Sequence, residues 1–134
     1  MFVDAAAMVA VLSLEAEAER CLNAISAASA PFTSPIAVWE ATLSLARPNK
    51  LSLPLAASQQ LVMRFLDERG IDLRDLPPPP EAAALSLEAA QRFGSGKRRL
   101  NLADCFHYAC ARHHNVPILS TDGEFRLTDL ATVP

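Results

Sequence analysis

Short apolar runs that stop at a polar residue and pass straight into a helical pattern constrain this chain more than any other feature. Phe2 and Val3 end at Asp4, after which Ala5, Met8, Val9 and Leu12 recur at helical spacing. A break at Ala30, Pro31 and Phe32 leads into a short strand through Thr33, and Ser34 followed by Pro35 suits a helix start. Residues 116–120 form another apolar run, and residues 71–76 a further candidate strand in which Ile71 and Leu73 alternate with acids. Between these lie helical stretches around Cys21, Leu22 and Ile25, then from Pro35 to a stop at Pro48, and over 55–69 with Gly70 suited to a left-handed C-terminal turn. Stiff Pro77 to Pro80 leads into a helix over 81–93, and Asn101 can cap one running from Leu102 to about His114. Strands alternating with helices predict an α/β/α sandwich around a central, mainly parallel sheet of four or five strands, the last residues adding an edge. With 134 residues, 51% of them hydrophobic, residues 1–134 are expected to form a single domain with a substantial core.

Composition narrows the function classes. The first dozen residues are apolar, but Asp4 interrupts them and no basic segment precedes them, so they suit neither a signal peptide nor a membrane span. Cys21, Cys105 and Cys110 leave an odd thiol under any pairing and lack CxxC spacing, which fits a reducing, cytoplasmic setting better than a disulfide framework or zinc site. A net charge of -3 argues against coating nucleic acid through bulk positive charge. Lys97, Arg98 and Arg99 still offer a local basic surface, and Arg47 and Arg112 are further candidates for phosphate contact. Neither a GxSxG nucleophile motif nor Walker spacing around Gly94, Ser95, Gly96 and Lys97 is present.

The informative polar residues are four acids, Asp4, Glu40, Asp104 and Asp122, each where the surrounding sequence reads as the end of a strand or the first part of a helix. Each also has an ordinary explanation. Asp4 suits an N-cap, Glu40 an exposed or Arg47-facing carboxylate beside the stripe Ile36, Trp39, Leu43 and Ala46, Asp104 a first-turn dipole partner, and Asp122 a turn before Gly123. On the last long helix, Leu102, Phe106, Ala109, Cys110 and His113 read as the buried side, with Asp104 opposite. A parallel sheet, however, brings strand ends to one edge, where converging carboxylates repel unless a cation neutralises them. Oxygen-rich clusters suit Mg²⁺ or Mn²⁺, and such ions serve attack on phosphodiesters. Glu124 is a helper of Asp122 or its rival. His107, His113 and His114 have poor ligand spacing and read as structural or surface groups.

Four segments, MFVDAAAMVAVL, SPIAVWEATLSLAR, LNLADCFHYACAR and PILSTDGEF, together resemble the PIN-domain ribonucleases, and more closely the VapC-type toxins of bacterial toxin–antitoxin pairs. The resemblance covers nearly the whole chain. It implies that Asp4, Glu40, Asp104 and Asp122 are the catalytic metal-site positions, with Mg²⁺ or Mn²⁺ as cofactor and RNA, of the tRNA or rRNA class, as substrate. It further implies a homodimer and a cognate VapB-type antitoxin whose C-terminal segment occupies the active groove. Two departures stand out: Ala6 replaces a Ser or Thr that many relatives carry near the first acid, and the acidic spacing around Asp122 and Glu124 varies. The alternative reading is a catalytically weak PIN-like module that binds RNA or protein. A phosphatase with an aspartate nucleophile is disfavoured, because Asp4, Ala5 and Ala6 lack the second acid of a DxD arrangement.

Overall fold

The computed structural model describes residues 1–97 and 99–133. Its elements run β1 (Phe2–Val3), α1 (Ala5–Leu12), α2 (Ala18–Ala27), β2 (Phe32–Thr33), α3 (Pro35–Ala46), α4 (Leu55–Arg69), β3 (Asp72–Leu73), α5 (Pro79–Phe93), α6 (Leu102–His113), β4 (Ile118–Leu119), a 3₁₀ turn (Gly123–Leu127) and β5 (Thr132–Val133). All strand pairs are parallel, in the order β3-β2-β1-β4-β5, and the helices complete an α/β/α sandwich. The strands at 71–76 and 116–120 are thus shorter than the sequence pattern suggests, and α5 begins two residues early because its prolines fit the first helical turn.

Burial explains the strand compositions. Central β1 and its neighbours β2 and β4 are covered on both faces, and Phe2, Val3, Phe32, Ile118 and Leu119 are all fully or almost fully buried. Edge strand β3 is exposed, which accounts for the charged Asp72 in it. The chain builds outward from β1 through β2 to β3, then crosses back to place β4 on the other flank of β1. The order reverses between β1 and β4. In a parallel α/β sheet, that reversal opens a crevice at the carboxyl ends of the two strands.

Local chemistry sets the helix ends. Ser34 accepts from the Ala37 N–H across the start of α3, and Asn101 and Asp104 form a reciprocal capping box at the start of α6. Gly70, at φ +61°, ends α4 in the left-handed conformation while Ile71 N–H donates back to the Leu66 carbonyl at 2.9 Å. Ser58, fully buried on α4, donates to the Thr42 carbonyl at 2.7 Å and ties α4 to α3.

Two helix faces differ from the pattern reading. In α3 the buried residues are Ala37, Ala41, Thr42 and Leu45, whereas Trp39 is 61% exposed. Nearly every position of α3 is apolar, so hydrophobicity barely distinguishes its faces, and small residues win the side that approaches α1 and α6. In α6, Leu102 is 79% exposed and His113 only partly covered, while Ala103, Cys105, His107 and Tyr108 join Ala109 and Cys110 inside. Tyr108 brings its polar end in with it. Its hydroxyl donates to Asp129 at 2.9 Å, and Arg92 pairs with the same carboxylate at 3.0 Å.

Leu45→Ala is therefore expected to cost about 2–5 kcal/mol of unfolding free energy. Trp39→Ala, on the same helix, should change it by no more than about 0.5 kcal/mol. Urea denaturation of the two variants checks this, and comparable losses would restore the sequence-based assignment of α3.

Candidate metal centre

Asp4 is carried to the switch point by the chain immediately after β1. Its backbone N–H donates to the Leu119 carbonyl at 3.0 Å, extending the β1–β4 pairing by one residue and setting the acid beside Ser120. The side chain is then held on both oxygens: Oδ1 accepts from the Ala5 N–H at 2.7 Å and Oδ2 from the Ser120 hydroxyl at 2.6 Å. The capping role read from the sequence is real. It also fixes the carboxylate at the crevice.

Ser120 does more than hold Asp4. Its Oγ accepts from the Asp122 N–H at 3.1 Å, so one hydroxyl joins the end of β1 to the turn after β4. This buried serine supplies a hydroxyl beside the first acid although position 6 is alanine. Its sequence signal was slight: a lone polar residue closing an apolar run.

Asp4, Glu40, Asp104 and Asp122 all line one cavity of about 360 Å³. Ala6, Trp39, Leu43, Ser44, Arg47 and Asn101 also contribute to its wall. Glu124 is not among the lining residues, although its charge acts on Asp122. Asp104 reaches the cavity as part of the α6 cap, where its Oδ2 accepts from the Asn101 N–H at 2.7 Å. It lies on the cleft side of α6. Glu40 faces α6 instead of Arg47 and meets His107 at 2.6 Å.

The electrostatics record the crowding. Burial, against the opposing hydrogen bond from Asn101 and with added repulsion from Asp4 and Glu40, pushes the Asp104 carboxyl up to about 6. At Asp122 partial enclosure comes first, followed by the charges of Asp4, Glu124, Asp104 and Glu40, and its carboxyl also rises to about 6. For His107, burial alone works to lower the pKa, but the Glu40 hydrogen bond and the charges of Asp4, Glu40 and Asp104 together outweigh it and raise it.

His107 thus departs from the structural role that histidine spacing suggested. Its Nε2 lies 3.4 Å from Asp4 Oδ1 as well as 2.6 Å from Glu40 Oε2, and ligand atoms of these three residues all fall within 4.8 Å of one another. His113 instead pairs with Glu81, and His114 packs edge-on against Phe32.

Of the sequence-predicted cations among the described residues, only Arg47 lines the cavity. It pairs with no carboxylate among the described residues, whereas neighbouring Lys50 is engaged by Glu15. Lys97 and Arg99 are exposed but do not contribute to its wall, Arg112 acts on the Tyr108–Asp129 pair, and Arg98 lies outside the described residues. Cys21, Cys105 and Cys110 are free and buried. No helix among the described residues is long and apolar enough to cross a membrane.

This sequence and this fold have counterparts among known proteins. Ribonuclease VapC30 of Mycobacterium tuberculosis is 31% identical over 139 residues, an alignment covering 99% of this chain and 98% of that protein. Ribonuclease VapC of Mycolicibacterium smegmatis is 32% identical over 142 residues, with 99% of each covered. Among solved structures, M. tuberculosis VapC20, a Sarcin-Ricin loop cleaving toxin, superposes with a TM-score of 0.74 at 14% identity over 98% of this chain and 97% of its own. A toxin-antitoxin complex from Klebsiella pneumoniae gives 0.67 at 16% identity, covering 96% and 92%. The PIN domain family model matches residues 1–130, and with relatives above 30% identity along their full length, the chain belongs to the PIN-domain family, among its VapC ribonucleases.

Proposed function

We propose that this VapC-family ribonuclease hydrolyses RNA phosphodiester bonds at the acid-lined cavity, using Mg²⁺ or Mn²⁺ held by Asp4, Glu40, Asp104 and Asp122. The observation that carries the reading is the convergence of these four carboxylates, from four separate parts of the chain, on one cavity. The donor set fits a hard divalent ion. It is dominated by carboxylate oxygens, and burial together with repulsion among these acids, which pushes two of the carboxyls up to about 6, is what a cation would offset. When bound, such an ion acidifies a water molecule and offsets charge accumulating on the scissile phosphate.

The chain's own residues have distinct tasks. Asp4 and Asp104, each fastened by a backbone N–H, present fixed carboxylates, while the Ser120 hydroxyl holds Asp4 and the Asp122 turn in register. Arg47, on the same cavity wall and free of a carboxylate partner among the described residues, anchors a phosphate next to the cut. Trp39 exposes its ring one residue from Glu40, where it offers a stacking surface to an unpaired base.

The same reading makes the protein the toxin of a type II pair, restrained by a VapB-type antitoxin and acting in the cytoplasm as a homodimer. Support for a protein inhibitor comes from solved relatives of this fold that are toxin–antitoxin complexes. Reduced, buried thiols suit a cytoplasmic setting.

Purified protein supplied with Mn²⁺ or Mg²⁺ should cleave structured RNA, and Asp4→Asn and Asp104→Asn should each lower the rate by roughly 10²-fold or more. Equal cleavage by all three proteins would refute the site assignment.

Proton competition gives a second expectation. Because the folded, metal-free Asp104 and Asp122 carboxyls titrate at about 6, above the usual carboxylate range, their contribution to stability is present at low pH and is lost as pH rises through 6. A divalent ion reverses the balance, since it binds the ionised forms. The rise in melting temperature on adding Mn²⁺ should therefore be larger at about pH 7.5 than at about pH 5.5. Thermal denaturation with and without Mn²⁺ tests this, and an increment equal or larger at the lower pH would contradict it.

A further inference from the structure

His107 is fully buried beside the acids, yet the metal-dependent reading gives it no task. Its ring is fixed by packing, with the Phe2 ring centroid 5.5 Å away, and α6 carries it toward α3. The two ring nitrogens have opposite surroundings. Nε2 meets Glu40 Oε2 at 2.6 Å and Asp4 Oδ1 at 3.4 Å, whereas Nδ1 has no hydrogen-bond partner among the described residues.

We propose that His107 is a positioning residue for the ribonuclease reaction: its Nε2–H grips Oε2 of Glu40, fixing that side chain in the cleft and leaving Oε1 as the free metal donor. The proposal rests on the metal-dependent reading above. Ionised carboxylates only accept, so the hydrogen between these groups is carried by Nε2. A contact of this length to a charged acceptor is a strong one. Glu40 needs the grip more than Asp4 or Asp104 does, because those two are held by backbone N–H groups and Glu40 has no such partner among the described residues. Its longer side chain remains partly exposed at 26% and loses more rotamer freedom on being fixed.

A competing role is direct ligation, with His107 as a nitrogen donor alongside Asp4 and Glu40. Two features of the geometry disfavour it. Nε2, the nitrogen that faces the acids, is already engaged by Glu40, and a ligating histidine normally anchors its second nitrogen on a carboxylate, carbonyl or water. Here Nδ1 meets no carboxylate or carbonyl among the described residues.

Glutamine places a side-chain N–H near the position of Nε2, asparagine places one nearer to Nδ1, and leucine supplies none. Calorimetric titration of the full chain with Mn²⁺ is therefore expected to show His107→Gln within about threefold of the wild-type affinity, and His107→Asn and His107→Leu weakened by roughly 10–100-fold. Circular dichroism checks folding, and if the leucine variant does not fold, the asparagine and glutamine pair carries the comparison. Pulsed electron paramagnetic resonance of Mn²⁺ on the wild-type protein should show no imidazole nitrogen coupling. Wild-type affinity in folded His107→Leu or His107→Asn would overturn the proposal, as would loss of affinity in His107→Gln equal to that in His107→Asn. Nitrogen coupling would overturn it in favour of direct ligation. Failure of the parent reading looks different: wild-type protein would bind no Mn²⁺, or Asp4→Asn would bind it unchanged.

Discussion

The site depends on β1 being sandwiched between two parallel partners. With Phe2 and Val3 buried and paired to β4, the next residue has only one place to go, and the Asp4 N–H takes the Leu119 carbonyl as a continuation of the sheet. Burying a carboxylate there carries a large desolvation penalty, which the Ala5 N–H and the Ser120 hydroxyl offset in the metal-free protein. The other acids arrive from outside this rigid centre. Glu40 comes from the middle of α3, Asp104 from the first turn of α6 and Asp122 from the turn after β4. Sheet topology thus supplies the meeting point, and caps and turns supply the aim.

Features governed by neighbours a few residues away were legible in the sequence. The Ser34–Pro35 helix start, the Asn101 cap and the Gly70 terminus each rest on backbone groups within one helical turn, so their physics is local. The alternation of strand and helix was equally readable, since β1, β2 and β4 had to be apolar to be covered on both faces. The four acids could be placed near one another because parallel topology maps strand ends to a common edge. That Asp122 and not Glu124 lines the cavity depends on how the 3₁₀ turn leaves β4, which no local pattern specifies.

What escaped the sequence reading was decided by packing between distant elements. In α3, a pattern of hydrophobicity pointed to Trp39, but close approach of α1 and α6 favours Ala37 and Ala41, and the indole is displaced outward. Size overrode polarity. His107 was judged against the other histidines of its own helix, whereas its partners are Asp4 and Glu40, supplied by the end of β1 and by α3. Ser120 looked like the end of a strand, and its bridging role appears only once β4 lies against β1.

The outward position of Trp39 has an optical consequence. It is the sole tryptophan of the chain, and it stands on the wall of the acid-lined cavity instead of in the core. Indole emission from this protein therefore originates at the mouth of the cleft, and its wavelength and intensity follow what fills that mouth more directly than they follow the state of the interior. The molecule carries its own fluorophore on the wall of the cavity that its acids line.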